Sequence, residues 1–199
     1  VVANRLTVAK AFTPTSIAYN DPVTPAYTAA QMTITVTATA GSTVTGVNVE
    51  DTFPTGMIVA NTPATSITGT GCSAAALEGR TGLAAWGPVA SGNTAIRVTG
   101  ASIAGSGNCA GKVNVTSNSS GAYANSTDTV YSDNGGTAAP ASATLNVLGP
   151  PAVSKSFNPV AIIPCTGTCN TGAQFCALTL TLTNHSSLAL AGVGVVDNF

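Results

Sequence analysis

The chain repeats its own beginning. Leu6-Thr7-Val8-Ala9-Lys10-Ala11-Phe12-Thr13-Pro14, followed by Ile17, returns as Pro151-Ala152-Val153-Ser154-Lys155-Ser156-Phe157-Asn158-Pro159, followed by Ile162. Met32-Thr33-Ile34-Thr35-Val36-Thr37 returns as Leu178-Thr179-Leu180-Thr181-Leu182-Thr183. Gly46-Val47-Asn48-Val49-Glu50-Asp51-Thr52-Phe53 returns as Gly192-Val193-Gly194-Val195-Val196-Asp197-Asn198-Phe199. The copies lie about 145 residues apart, and the offset grows by one, so one loop residue is gained. Such self-similarity marks a repeated structural unit. The reading is one complete repeat over 1–149 and the first third of another over 150–199. The sequence stops at Phe199, where the first copy runs on into Pro54-Thr55-Gly56. A unit cut there cannot close its own core, so more chain or another molecule is expected to complete it.

What the repeat is made of follows from its residue types. Only 7% of the 199 residues are charged, against about 25% in an average soluble domain. Hydrophobic residues still make up 44%. Small polar residues replace the charge, with 31 Thr and 21 Gly. Helix formers such as Glu, Lys, Gln and Arg are scarce, while Thr, Val, Gly and Asn favour strands and turns, which excludes a long helix or coiled coil. Alternating Val, Ile and Leu supply a core, which argues against disorder. Six basic residues and a net charge of -1 leave no electrostatic footprint for nucleic acid or an anionic membrane. No apolar run approaches the ~20 residues a membrane-spanning helix needs. No basic segment precedes an apolar stretch, so the sequence reads as a mature product or an internal piece.

Period-2 alternation predicts strands near 6–12, 32–39, 45–51, 95–100, 109–116, 123–131 and 141–148. Weaker candidates lie near 57–60 and 66–70, and the partial repeat adds 152–157, 176–183 and 190–196. Gly41-Ser42, Pro54-Thr55-Gly56, Ser91-Gly92-Asn93 and Asp133-Asn134-Gly135-Gly136 are among the turns between them. Segment 13–30, with Pro14, Pro22 and Pro25, reads as an extended surface loop, and a short helical turn is weakly suggested at Ser73–Leu77. Gly149-Pro150-Pro151 reads as a stiff linker. Seven or more strands in about 148 residues point to an all-β, immunoglobulin-like β-sandwich repeat, one complete and one partial.

Of the five cysteines, Cys72 and Cys109 fall in the complete repeat, each beside a strand. They are the first choice for a disulfide, worth about 3–4 kcal/mol on the chain-entropy model; two buried free thiols are the alternative. Cys165, Cys169 and Cys176 form an odd set. Either Cys165 and Cys169 close a small loop or one of them pairs with Cys176, which leaves one thiol for a partner elsewhere. Cys165-x3-Cys169 resembles half a zinc site, but His185 lies beyond a strand and no fourth ligand is evident. No metal or cofactor is therefore expected.

Catalytic machinery is not evident: one histidine and seven scattered carboxylates make no acid–base pair. His185, after Asn184, reads as a solvated turn residue. Asp128, Asp133 and Asn134 offer hard oxygen ligands at short spacing and form a weak calcium candidate, while Asp-Asn-Gly-Gly is also simply a turn. Asn114, Asn118, Asn125 and Asn184 stand in glycosylation sequons, which chance alone supplies in a chain this rich in Asn and Thr.

Lysine is rare here, yet Lys10 and Lys155 occupy the same place in the two copies, as do Asp51 and Asp197. A lysine between Val8 and Phe12 is costly to bury unless paired. Desolvation can turn that cost to use. A neutral lysine can attack an asparagine side chain, helped by a protonated acid, to form an amide and release ammonia. Asn125 is the first candidate partner and Asn146 the second. The plainer alternative, favoured here, is that Lys10 snorkels to solvent or makes a simple ion pair with Asp51.

Leu6-x-Val8-x-Lys10-x-Phe12-x-Pro14, then Val49-Glu50-Asp51-Thr52-Phe53-Pro54-Thr55-Gly56-Met57, Gly71-Cys72, Cys109, Gly121-Ala122-Tyr123-Ala124-Asn125 and Ala143-Thr144-Leu145-Asn146-Val147 resemble a bacterial surface-repeat family, the "domain of unknown function eleven" and its relatives. The resemblance spans the first repeat and restarts at Pro151; its most specific part is Asp51-Thr52-Phe53-Pro54-Thr55-Gly56. It implies immunoglobulin-like modules of long secreted or envelope-attached proteins that serve as stalks, adhesins or filament components. Related fimbrial modules carry acid-assisted Lys–Asn bonds, which brings Lys10, Asp51 and Asn125 forward. Cys165, Cys169 and Cys176 depart from the first repeat and suggest a repeat-specific disulfide.

The leading expectation is a structural segment of an extracellular bacterial fibre, sheath or stalk. It would self-associate, or contact neighbouring repeats, through sheet edges and through the incomplete second repeat. The alternative is an adhesin-type module that binds a glycan or protein through loop 13–30 and segment 71–94, with Tyr27 and Trp86 as candidate contacts; core or half-buried packing is the plainer reading of Trp86, favoured here.

Overall fold

A computed structural model describes residues 4–18, 28–158, 177–184, 189 and 191–198. Among these, every regular element is a strand. In chain order they are β1 (Leu6–Thr13), β2 (Ser16–Ala18), β3 (Ala30–Ala38), β4 (Val44–Thr52), β5 (Met57–Val59), β6 (Ser66–Thr68), β7 (Cys72–Ser73), β8 (Ala76–Arg80), β9 (Gly87–Pro88), β10 (Ala95–Ile103), β11 (Asn108–Ser117), β12 (Gly121–Ser126), β13 (Val130–Tyr131), β14 (Thr137–Ala138), β15 (Ser142–Leu148), β16 (Ala152–Asn158) and β17 (Ala177–Thr183). The chain divides into two units, Val1–Leu148 and Gly149–Phe199.

The first unit is an immunoglobulin-like β-sandwich. One sheet runs β1-β3-β11-β5, with β6 also on β11; the other runs β14-β13-β4-β10-β8-β9, with β7 on β10. A third ladder, β12-β15-β2, runs beside β1 through β15. Its β2–β15 pairing is parallel. Alternation builds the core. Met32, Ile34 and Val36 of β3 and Val113 and Val115 of β11 are buried together with Val47 and Val49 of β4 and Ile96 and Val98 of β10. Full burial of each such side chain contributes about 1.5–3 kcal/mol. Thr fills the outward positions of β3, where a β-branched polar residue suits a strand without adding charge. Tyr123, near the start of β12, donates to the Ser119 carbonyl four residues upstream at 2.9 Å, a corner typical of these sandwiches.

At Gly111 the two sheets approach closely. A Cβ there would lie 2.5 Å from Val98 Cγ2 on the facing strand β10. Valine is stiff about χ1 and cannot swing away. Gly111→Ala is expected to cost about 1–3 kcal/mol by overpacking, read as a lower urea midpoint with an unchanged slope.

The structure redraws several expected elements. The helical turn at Ser73–Leu77 does not form: β7 and β8 occupy that stretch because both pair with β10. The strand expected over 123–131 is two, β12 and β13, which belong to different sheets. Part of loop 13–30 is β2, drawn into parallel pairing with β15. Residues 191–198 carry no strand, although 190–196 alternate.

In the second unit β16 and β17 pair antiparallel, with Lys155 opposite Leu180 and Phe157 opposite Leu178. In the first unit Lys10 stands opposite Ile34 and Phe12 opposite Met32. The two hairpins thus share one register, position for position. Lys155 also reaches Asp197 at 2.8 Å and sits 5.3 Å from the Phe157 ring, as Lys10 sits 5.9 Å from that of Phe12.

Candidate functional site

Strand periodicity sends three polar side chains inward. On β1, Leu6, Val8, Lys10 and Phe12 share a face, and Leu6 and Phe12 are buried. On β4, Asp51 continues the buried series of Val47 and Val49. On β12, Asn125 follows buried Tyr123. The Lys10 and Asp51 side chains have no exposed surface, and Asn125 is 1% exposed. Lys10 keeps some exposure only along its main chain, so it does not snorkel to solvent.

Within this cluster Lys10 Nζ donates to Asp51 Oδ2. Asp51 Oδ1 and Asn125 Oδ1 have no hydrogen-bond partner. The Asn125 amide nitrogen meets Met32 Sδ at 3.6 Å. Met32 pairs with Phe12, two residues along β1 from Lys10 on the same face, and Lys10 and Asn125 both bear on the Asp51 carboxyl. Asn125 also lies near enough to Asp51 to favour its carboxylate, without a well-formed hydrogen bond between them.

The electrostatics are those of a desolvated pair. Burial pushes the Lys10 amine below the usual lysine range, and the Asp51 charge opposes that shift only in part. Burial pushes the Asp51 acid above the usual carboxylate range; Lys10 and then Asn125 oppose the rise, and Asp128 adds to it. Both directions favour a neutral amine beside a protonated acid. An amine nucleophile, a proton donor and a carboxamide with a free carbonyl oxygen thus share one dry site.

Asn146, the second candidate amide, is not part of it. β15 alternates, with Leu145 and Val147 buried, so Asn146 points to the other face. Its backbone N–H donates to the Thr15 carbonyl at 2.9 Å. Met32 has no mark in the sequence, since it is one more apolar residue of the β3 alternation and meets the Asn125 amide only in the fold.

Cys72 and Cys109 form a disulfide with a Cα–Cα distance of 5.0 Å. It ties β7, on the sheet of β4 and β10, to β11 of the opposite sheet. Cys165, Cys169, Cys176, His185 and Tyr27 lie outside the described residues.

Asp128 and Asp133, the acids of the calcium candidate, dock at separate points along β4. The Asp128 amide docks at the Glu50 carbonyl and the Asp133 amide at that of Thr45; five residues along a strand is about 16 Å. Asn134 is spent on the turn: its Oδ1 accepts from Thr45 N at 2.9 Å and its Nδ2 donates to the Thr43 carbonyl at 3.0 Å. Among the described residues no three acids, histidines or cysteines gather around one point.

Trp86 is half-buried. Its ring is met by the Arg80 and Arg97 guanidiniums, 4.2 and 4.7 Å from the centroid. Arg97 is held in turn by Glu78 at 2.6 Å. Both guanidiniums lie within cation–π range of the ring. The Asn125 sequon is inaccessible in the folded unit, since its side chain is core.

Solved structures of related shape have low similarity. They include BslA, a bacterial hydrophobin (17% identity, TM-score 0.41, covering 74% of this chain and 96% of that one). A non-cellulosomal cohesin from the archaeon Archaeoglobus fulgidus shows 12% identity and a TM-score of 0.43, over 73% and 91%. The collagen-binding domain of a Staphylococcus aureus adhesin shows 9% and 0.42, over 70% and 96%. No curated protein sequence matches the chain. A family model matches residues 7–147, from β1 to β15, and it is not that of the "domain of unknown function eleven". The chain belongs to the family described as Domain of unknown function (DUF7933).

Proposed function

We propose that this chain is a segment of an extracellular fibre or stalk built from tandem immunoglobulin-like β-sandwich repeats. The observation that carries this reading is the repeated hairpin. Lys10 opposite Ile34 and Lys155 opposite Leu180 hold the same register, and each lysine reaches the equivalent aspartate, Asp51 or Asp197. A second copy of the same starting strands, directly after a Gly-Pro-Pro linker, is how a chain of identical spacers is written. Low charge supports the same role, since near-neutral modules pack along and beside one another without self-repulsion. The disulfide fits an oxidising, extracellular compartment. An adhesin-type binding role has less behind it, because the Trp86 ring already meets Arg80 and Arg97.

Immunogold electron microscopy with antibody to the purified chain tests the proposal on intact and sectioned source cells. Gold on fibres or stalks outside the cell is the expected result. Label confined to the cytoplasm overturns it. Label spread evenly over the envelope, with saturable binding of the purified chain to a glycan or protein array, would replace it with the adhesin reading.

A further inference from the structure

Two buried oxygens without partners, Asp51 Oδ1 and Asn125 Oδ1, stand in the cluster that also holds a buried amine. Native interiors rarely leave such atoms unsatisfied without a chemical reason. We propose that Lys10 and Asn125 are joined by an intramolecular isopeptide bond, with Asp51 as the proton shuttle.

The step balances without a co-reactant. The lone pair of neutral Lys10 Nζ attacks Asn125 Cγ while protonated Asp51 donates to Asn125 Oδ1, which no other group engages. A tetrahedral centre forms. Asp51 takes a proton from Nζ and delivers it to Nδ2. As Asp51 takes back the proton from Oδ1 the carbonyl re-forms, the Cγ–Nδ2 bond breaks, ammonia leaves, and a Cγ–Nζ amide remains. Asp51 ends protonated, as it began, and its O–H can hydrogen-bond the new amide oxygen. Nothing is oxidised or reduced. Burial shifts Lys10 towards the neutral amine and Asp51 towards the acid, the direction that the step requires. Enclosure keeps water from competing for the tetrahedral centre. The product removes a buried amine and both orphaned oxygens together.

The placement gives the bond a mechanical consequence. It ties the first strand, β1, to β12 across the core, so tension applied at the two ends would bypass residues 11–124. The bond lies within one unit and does not depend on the fibre assignment above.

Intact-mass spectrometry of the reduced, denatured chain is the test. The expected mass lies about 17 Da below the sequence mass, the loss of one ammonia. Tryptic digestion should yield one branched peptide joining Lys10 to Asn125, with no cleavage after Lys10. Asp51→Ala and Asn125→Ala should each restore the full sequence mass. A wild-type chain at full mass overturns the bond, and that result needs no variant to fold. The same mass loss mapped to a succinimide at another asparagine also overturns it. Asp51→Ala that still yields the branched peptide overturns the role of Asp51.

Discussion

Replacing Asp51 with valine while Lys10 stays in place should leave the first unit about 3–5 kcal/mol less stable than the Lys10→Met/Asp51→Val double variant, the usual cost of orphaning one member of a buried ion pair. Lys10→Met should do comparable damage from the other side, by stranding Asp51. The double variant should be more stable than either single one, because two apolar side chains suit the apolar faces of β1 and β4. Any isopeptide bond is absent from all three variants, so its contribution cancels between single and double. Urea midpoints at neutral pH make the comparison; a double variant no more stable than the singles would mean that burial of unpaired charge is not the cause. The Lys10→Met variant adds a pH signature. Without Lys10, burial and Asp128 both act to raise the Asp51 pKa. A group whose folded pKa is raised contributes stability that is present below the unfolded value and lost as pH rises through the folded one. The deficit of Lys10→Met against Lys10→Met/Asp51→Val should therefore be large at pH 7 and shrink as pH falls towards the ordinary carboxylate range.

Much of this cluster could be read from the sequence, for a definite reason. A charged residue in the middle of a Leu-x-Val-x-x-x-Phe alternation has only one face to occupy. Period 2 fixes that face before any tertiary structure is known. Lys10, Asp51 and Asn125 all announce themselves this way. What alternation cannot say is which strand lies opposite. Asn125 and Asn146 sit on neighbouring strands and look equivalent in sequence, and only their phases relative to Tyr123 and Leu145 separate them. The short strands β7, β8, β9 and β14 were hidden because they exist only as partners of β10, β13 and one another. Ser73–Leu77 has alanines that favour a helix in isolation, and two backbone ladders to β10 override them. The opposite failure occurs at 190–196, where clean alternation has produced no strand among the described residues. A strand is a property of a pair, and Val193, Val195 and Val196 remain exposed here.

Removing the disulfide as Cys72→Ala/Cys109→Ala should cost the first unit about 3–4 kcal/mol, from the 37-residue separation that it closes. For a unit of this size that is a fall in Tm of about 10 °C. Alanine is the right replacement, because Cys109 is 2% exposed and a serine hydroxyl would be left without a partner. The loss should not be uniform. β7 is held to β10 by only two residue pairs, Ser73 with Ser102 and Cys72 with Ile103, and to the other sheet by the bridge itself. β3 and β11, by contrast, pair over eight residues in the heart of the core. Without the bridge, hydrogen exchange should quicken first in residues 66–75, while the β3–β11 amides keep protection equal to the global stability. A double variant that melts with the wild-type chain, with unchanged exchange in 66–75, would show that the sandwich closes on its core alone and that the bridge contributes no stability. An equal rise in exchange across β3, β11 and β7 would mean that β7 loses no local attachment beyond the global loss of stability.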